Sequence, residues 1–288
     1  MSTNTVIRRE SSVTTTTRTA GSRLFVLNRS IPTPDELREL HELEERLIVA
    51  RAREIEAAAP EMADRAALSR HMKALLEAEK ADQPEFERVM AEDLDLEQFK
   101  EVVAQFAVDG LTESESFLPI VWRLPKRAKM AIFRVLVDEF GCGNLDQAHF
   151  NIYRDLMTEL GMSLDVNDYL GRTNEETYAY VNTFFWAAAR APRPEYFLGT
   201  LCYLESSILY AFQCFADAAT RLGLSGARYY TEHLHIDNFH AKELQVAIRE
   251  FDAEADLQPV KVWTGFKLAS DVIGAATEAA VTSALKAV

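Results

Sequence analysis

The chain has 288 residues, 48% hydrophobic and 26% charged, the makeup of a globular protein long enough to bury a sizeable core. Its formal charge of −14 argues against a nucleic-acid partner, which would want a basic stripe, and against an anionic membrane surface. Three cysteines (Cys142, Cys202 and Cys214) without CxxC spacing give neither a disulfide framework nor a zinc finger, and no apolar run reaches the length of a membrane span.

In chain order, the Ser/Thr/Arg-rich start has no apolar h-region and reads as a disordered tail over 1–30. Residues 31–288 read as one helical domain, with the core of the candidate site at about 110–252. Leu37, Leu40, Leu43, Leu47 and Ile48 recur at helical spacing after a start at Pro34 and Asp35. Further helical patterns cover roughly 61–80, 84–92, 95–108, 113–120, 126–140, 146–160, 173–190, 193–222, 228–252 and 258–287. Glycine or proline marks most of the breaks, and no period-2 run or hairpin signal stands out, so the fold class is all-α. The segment 193–222 is apolar on most sides, as a central bundle helix would be, yet it carries Glu205 in its middle. A carboxylate there must be paired, protonated or metal-bound.

The stretch TEHLHIDNFHAKEL, 231–244, gathers His233, His235, Asp237 and His240. On a helix turning about 100° per residue, His233, Asp237 and His240 fall within an arc of about 60°, and His235 points the other way. Such a stripe suits metal ligation or a solvated polar face. Upstream, DEFGCGNLDQAH, 138–149, holds Glu139 and His149, which a straight helix would separate by about 15 Å. A break at Gly141-Cys142-Gly143 would fold the chain back and bring them together.

The order Asp-Glu-x-Gly-x-Gly…His over 138–149, Glu205 inside an apolar helix, then His233-x3-Asp237-x2-His240 resembles the haem-oxygenase-like dimetal oxidases, the iron-containing redox enzymes. That resemblance implies a haem-oxygenase-like helical bundle and six metal ligands: Glu139, His149, Glu205, His233, Asp237 and His240. Some members add a carboxylate from further upstream, for which Glu113 and Glu115 are the candidates. The implied enzyme is a non-haem diiron oxidoreductase, with two Fe(II)/Fe(III) ions as cofactor and O2 as co-substrate. It would oxidise a small amino acid, amine or related metabolite, with N-oxygenation favoured and desaturation or oxidative C–C cleavage as the alternatives. Histidine and carboxylate ligands suit iron that must react with oxygen. Expected partners are the small-molecule substrate and an external electron donor; the Ala-rich face of the C-terminal segment would either cover the bundle or form a homodimer contact, and the cytoplasm is the expected compartment. Phe140, Tyr210, Phe212 and Phe239 are candidate pocket walls, and Arg134, Arg154 and Arg228 candidate partners of a substrate carboxylate.

Two rival patterns share these residues. A ferritin-like site would use Glu115, Asp146-x2-His149, Glu205 and Glu232-x2-His235. A metal-free enzyme of the same fold would use the histidines as proton relays and a cysteine as nucleophile.

Overall fold

The computed structural model describes residues 18–82 and 84–287, except for the side chain of Asp237. The rest of the expected tail, residues 1–17, lies outside the described residues. Among the described residues there is no strand: α-helices joined by short 3-10 turns form an all-α bundle.

Helix α1 (Ala20–Asn28) falls inside the stretch expected to be a tail. Thr19 caps it through its side chain, and Leu24, Phe25 and Leu27 are fully buried. The apolar run LFVL drives this docking. Its nine residues, following a polar stretch, are too short to show helical periodicity in sequence. Helix α2 (Pro34–Glu44) starts at a Thr33–Glu36 capping box with proline in its first turn. It runs through a π-helical turn, Glu45–Val49, into α3 (Ala50–Ala57).

Helices α4 (Arg65–Asp82), α5 (Glu85–Glu92), α6 (Leu96–Gln105) and the single turn α7 (Ala107–Gly110) follow. The predicted helix over 113–120 is instead a 3-10 segment, Glu115–Trp122, entered through Ser114 in the left-handed region and containing Pro119. Proline lacks the N–H an α-helix would use there. Helices α8 (Lys126–Glu139), α9 (His149–Glu159) and α10 (Glu175–Ala189) come next. The predicted 193–222 helix divides at Phe212 into α11 (Glu195–Ala211) and α12 (Gln213–Arg221). Two long helices, α13 (Arg228–Glu254) and α14 (Pro259–Lys286), complete the bundle.

Helix α11 is central, packed along α14 on one side and α13 on the other, while α13 also packs on α8 and α10 on α14. The α11–α14 crossing is backbone to backbone. A Cβ on Gly199 would lie 2.0 Å from the Val262 carbonyl oxygen, and one on Gly265 would lie 1.9 Å from that of Tyr196. Phe197 and Phe266 fill the space beside the crossing without exposed surface. Burying each contributes about 2–3 kcal/mol. No described helix is long and apolar enough to cross a membrane.

Candidate metal centre

Four helices and one turn converge on a polar core. Helix α8 ends at Glu139, and Gly141, Cys142 and Gly143 all take positive φ (60°, 53° and 85°). The chain thereby reverses so tightly that a Cβ on Gly141 would sit 2.5 Å from the Ala148 nitrogen. Helix α9 opens at His149, whose Nδ1 lies 3.1 Å from Glu139 Oε2. The glycine reversal thus does what the spacing required, replacing a separation of about 15 Å by direct contact.

Helix α13 turns His233 and His240 inward, both buried, and leaves His235 exposed. Asp237 lies between them on the same helix, and its side chain is outside the described residues. Glu205, 3% exposed, enters from α11 with Oε2 3.0 Å from His240 Nδ1. Glu113 enters from the turn after α7, its Oε1 3.1 Å from His233 Nε2. Of the two upstream candidates, Glu113 is the one brought beside the histidines, and Glu115 pairs with Arg29 at 2.8 Å.

The ligand-type atoms form two groups, Glu113/His149/His233 and Glu139/Glu205/His240, each with its atoms within 4.8 Å of one another. Glu139 touches both. Its Oε2 is beside His149 in the first group, and its Oε1 is 3.3 Å from His240 Nδ1 in the second. The His149 and His233 ring centroids are 4.5 Å apart. The arrangement can hold two cations side by side with one carboxylate between them.

Surrounding groups fix the rings. His233 Nδ1 is 2.6 Å from the Tyr229 carbonyl, which can only accept, so this nitrogen carries a hydrogen, and Nε2 points at Glu113 Oε1, 3.1 Å away. His240 Nε2 faces Asp138 Oδ2 at 3.0 Å, which leaves Nδ1 for the carboxylate side. Ser114 donates to Glu139 Oε2 at 2.7 Å, and the Tyr229 hydroxyl donates to Glu113 Oε1 at 3.1 Å. Oriented imidazoles of this kind are the usual outer layer of a metal site.

Electrostatics shows what the cluster lacks. Burial pushes the Glu139 carboxyl up, but the imidazoles of His149, His240 and His233 outweigh it and hold the group well below the usual carboxylate range. Burial works against charging His149, and Glu139 more than compensates, so its pKa is raised. Even so, His149 Nδ1 and Glu113 Oε2 are buried without a hydrogen-bond partner; the nearby Glu139 oxygen is not aligned to serve His149. Buried polar atoms left without a partner among converging carboxylates are what a cation-binding cluster shows. Imidazole plus carboxylate is the donor set that suits iron or manganese.

Beside the Glu113 group lies a narrow cavity of about 80 Å³. Phe212, Tyr180, Tyr229, Asp109 and Glu113 are among its walls. Phe212 was a predicted wall, and its ring packs 5.3 Å from that of His233. The other three predicted wall residues point elsewhere: Tyr210 donates to Glu79, Phe140 packs on Phe150, and Phe239 is exposed. None of Arg134, Arg154 and Arg228 lines the cavity; Arg134 pairs with Glu243, and Arg228 bonds Gln147. Asp109 escaped sequence reading. It accepts a 2.8 Å hydrogen bond from the Tyr180 hydroxyl, and burial together with the charge of Glu113 pushes its carboxyl up to about 7. Asp138 and Tyr229 escaped as well. The one available signal was the i, i+4 spacing of Tyr229 and His233.

The ferritin-like pattern is not assembled: Glu115 is paired with Arg29, Glu232 sits beside Arg228, and His235 faces outward. Nor is there an activated thiol. Burial pushes Cys202 and Cys214 up to about 12, and Cys142 is exposed in the glycine turn.

Residues 100–273 match the model of a family described as iron-containing redox enzymes. Among characterised proteins, the chain is 27% identical over 143 residues to a nitrosourea synthase of Streptomyces achromogenes subsp. streptozoticus. That match covers 49% of this chain but 30% of the relative's length.

Proposed function

The chain belongs to the iron-containing redox enzymes, an oxidoreductase family of haem-oxygenase-like all-α fold, and on that premise we propose that it is an O2-dependent diiron oxygenase acting on a small amine or amino acid. The observation that carries the reading is the pair of abutting ligand groups joined by Glu139. Glu113, His149 and His233 would hold one iron and Glu139, Glu205 and His240 the other, with Asp237 of α13 as a further carboxylate ligand.

When bound here, two ferrous ions would supply the redox chemistry that passes electrons from the external reductant to O2. The protein does the rest. His233 is held with Nε2 inward by the Tyr229 carbonyl, and His240 with Nδ1 inward by Asp138. Ser114 fixes the Glu139 oxygen on the His149 side. The phenyl ring of Phe212 and the phenols of Tyr180 and Tyr229 exclude bulk water from the cavity next to Glu113.

The favoured outcome is N-oxygenation, supported by the likeness to a nitrosourea synthase. In this reaction one oxygen atom of O2 is inserted into an N–H bond and the other leaves as water. Two electrons and two protons come from an external reductant. Anaerobic loading with Fe(II) tests the centre: the expected result is two irons per chain, with oxygen uptake stimulated by an amine substrate. Retention of no more than a trace of iron would sink the reading.

A further inference from the structure

We propose that Asp109 is a specificity-determining residue, anchoring a cationic nitrogen, an ammonium or guanidinium, of a small apolar-bodied substrate in the cavity beside the Glu113 group. The inference takes the location of the reaction from the function proposed above, but the anchor itself is separable from iron.

Asp109 lines the cavity four residues before Glu113, on the short turn α7. Its Oδ2 is fixed by the Tyr180 hydroxyl at 2.8 Å. That bond comes from a neutral donor, so it orients the carboxyl group without bringing a cationic partner to it. Among the described residues lining the cavity there is no lysine, arginine or histidine. Three of the other hydroxyls are turned to main-chain carbonyls: Tyr153 donates to the Val103 carbonyl at 2.7 Å, Ser207 to that of Leu204 at 3.1 Å, and Thr277 to that of Ile273 at 3.1 Å. The charged groups on the cavity wall, Asp109 and Glu113, are acceptors.

Charge counting singles out the residue. Glu113, Glu139 and Glu205 belong to the two ligand groups, whose charge bound cations would balance. Asp109 is left over on the wall, so an anionic head group would meet an unbalanced carboxylate and no cationic side chain. A cationic head would meet a carboxylate already oriented by Tyr180, with the aromatic rings of Tyr180, Phe212 and Tyr229 around it. The cavity has room for about five to eight water-sized groups, which suits a short chain ending in one such head.

Isothermal titration of the full chain with n-hexylammonium, 1-hexanol and hexanoate tests this, because the three probes differ in the charge of the head. Each is run on the metal-free chain and on the chain loaded anaerobically with Fe(II). The ammonium probe is expected to bind about tenfold or more tightly than the alcohol in both forms, and hexanoate not to bind the metal-free chain. Asp109→Asn, nearly isosteric, is expected to abolish the preference for the ammonium while leaving the alcohol's affinity unchanged. Equal binding of ammonium and alcohol, no binding of the ammonium, or a preference that survives Asp109→Asn would each overturn the proposal. If the variant does not fold, the probe series on the unaltered chain decides. Iron stoichiometry separates the two readings. Failed iron loading with the ammonium preference intact removes the diiron function alone, and two irons with no preference removes the anchor alone.

Discussion

The two halves of the candidate centre are built differently. Glu139, Glu205 and His240 are all buried, and they project from the long helices α8, α11 and α13. Glu113, by contrast, is half-buried and stands on an irregular turn next to a left-handed Ser114, with the cavity on its open side. The His240 half is held by packed helices and has little freedom to change shape. The Glu113 half borders the cavity, and Glu139 stands beside both halves.

The sharpest way to break this contrast is Glu205→Ala. It strips a carboxylate from the sealed half and leaves His240 buried with one fewer partner, so a stability loss of about 3–5 kcal/mol is expected in chemical denaturation, together with loss of iron from that half. Gly141→Ala comes next. A positive φ and a Cβ 2.5 Å from the Ala148 nitrogen should cost about 1–3 kcal/mol and part Glu139 from His149. Because Glu139 serves both halves, iron should fall below one per chain by metal analysis.

His233→Ala should act on the open half alone. One iron per chain is expected to remain, with little change in melting temperature, and retention of two would mean that the halves are not independent sites. Asp138→Asn is subtler still. It weakens the hold on His240 Nε2 without removing a ligand, and about a 10- to 100-fold drop in iron affinity is expected by chelator competition.

A separate test is the pH dependence of the metal-free chain. The carboxyl of Asp109 is raised from 3.8 to about 7, so between those values the folded chain binds more protons at this site than the unfolded one. Its contribution to stability therefore falls as pH rises from about 4 to 7 and is flat above. The stability difference between the unaltered chain and Asp109→Asn should trace that slope in denaturant titrations, and a flat difference would contradict it.

Much of this was legible in the sequence, for physical reasons that vary by residue. The inward face of α13 follows from helical geometry alone, which separates His233 and His240 from the exposed His235. The reversal at 141–143 was legible because closely spaced glycines permit what an L-residue resists. The choice between Glu113 and Glu115 was not, since it turns on one left-handed serine and on Arg29, a partner more than eighty residues away in sequence. Asp138 was hidden beside Glu139, because neighbours on a helix diverge by about 100° and both need not serve one site. Helix α1 was hidden because its stability comes from docking on α10, through bonds such as Asn182 to the Gly21 carbonyl, and not from its own nine residues.

The crossing of α11 on α14 has a consequence for the chemistry. Glu205 stands six residues, about 9 Å, along α11 from Gly199, where the two main chains touch. The height at which that carboxylate meets His240 is therefore set from below, by two absent methyl groups that never approach iron or substrate. Adding either methyl would lift α11 off its bed and carry Glu205 with it. The meeting of Glu205 with His240 can thus be tuned at the base of the bundle while every residue of the polar core stays the same.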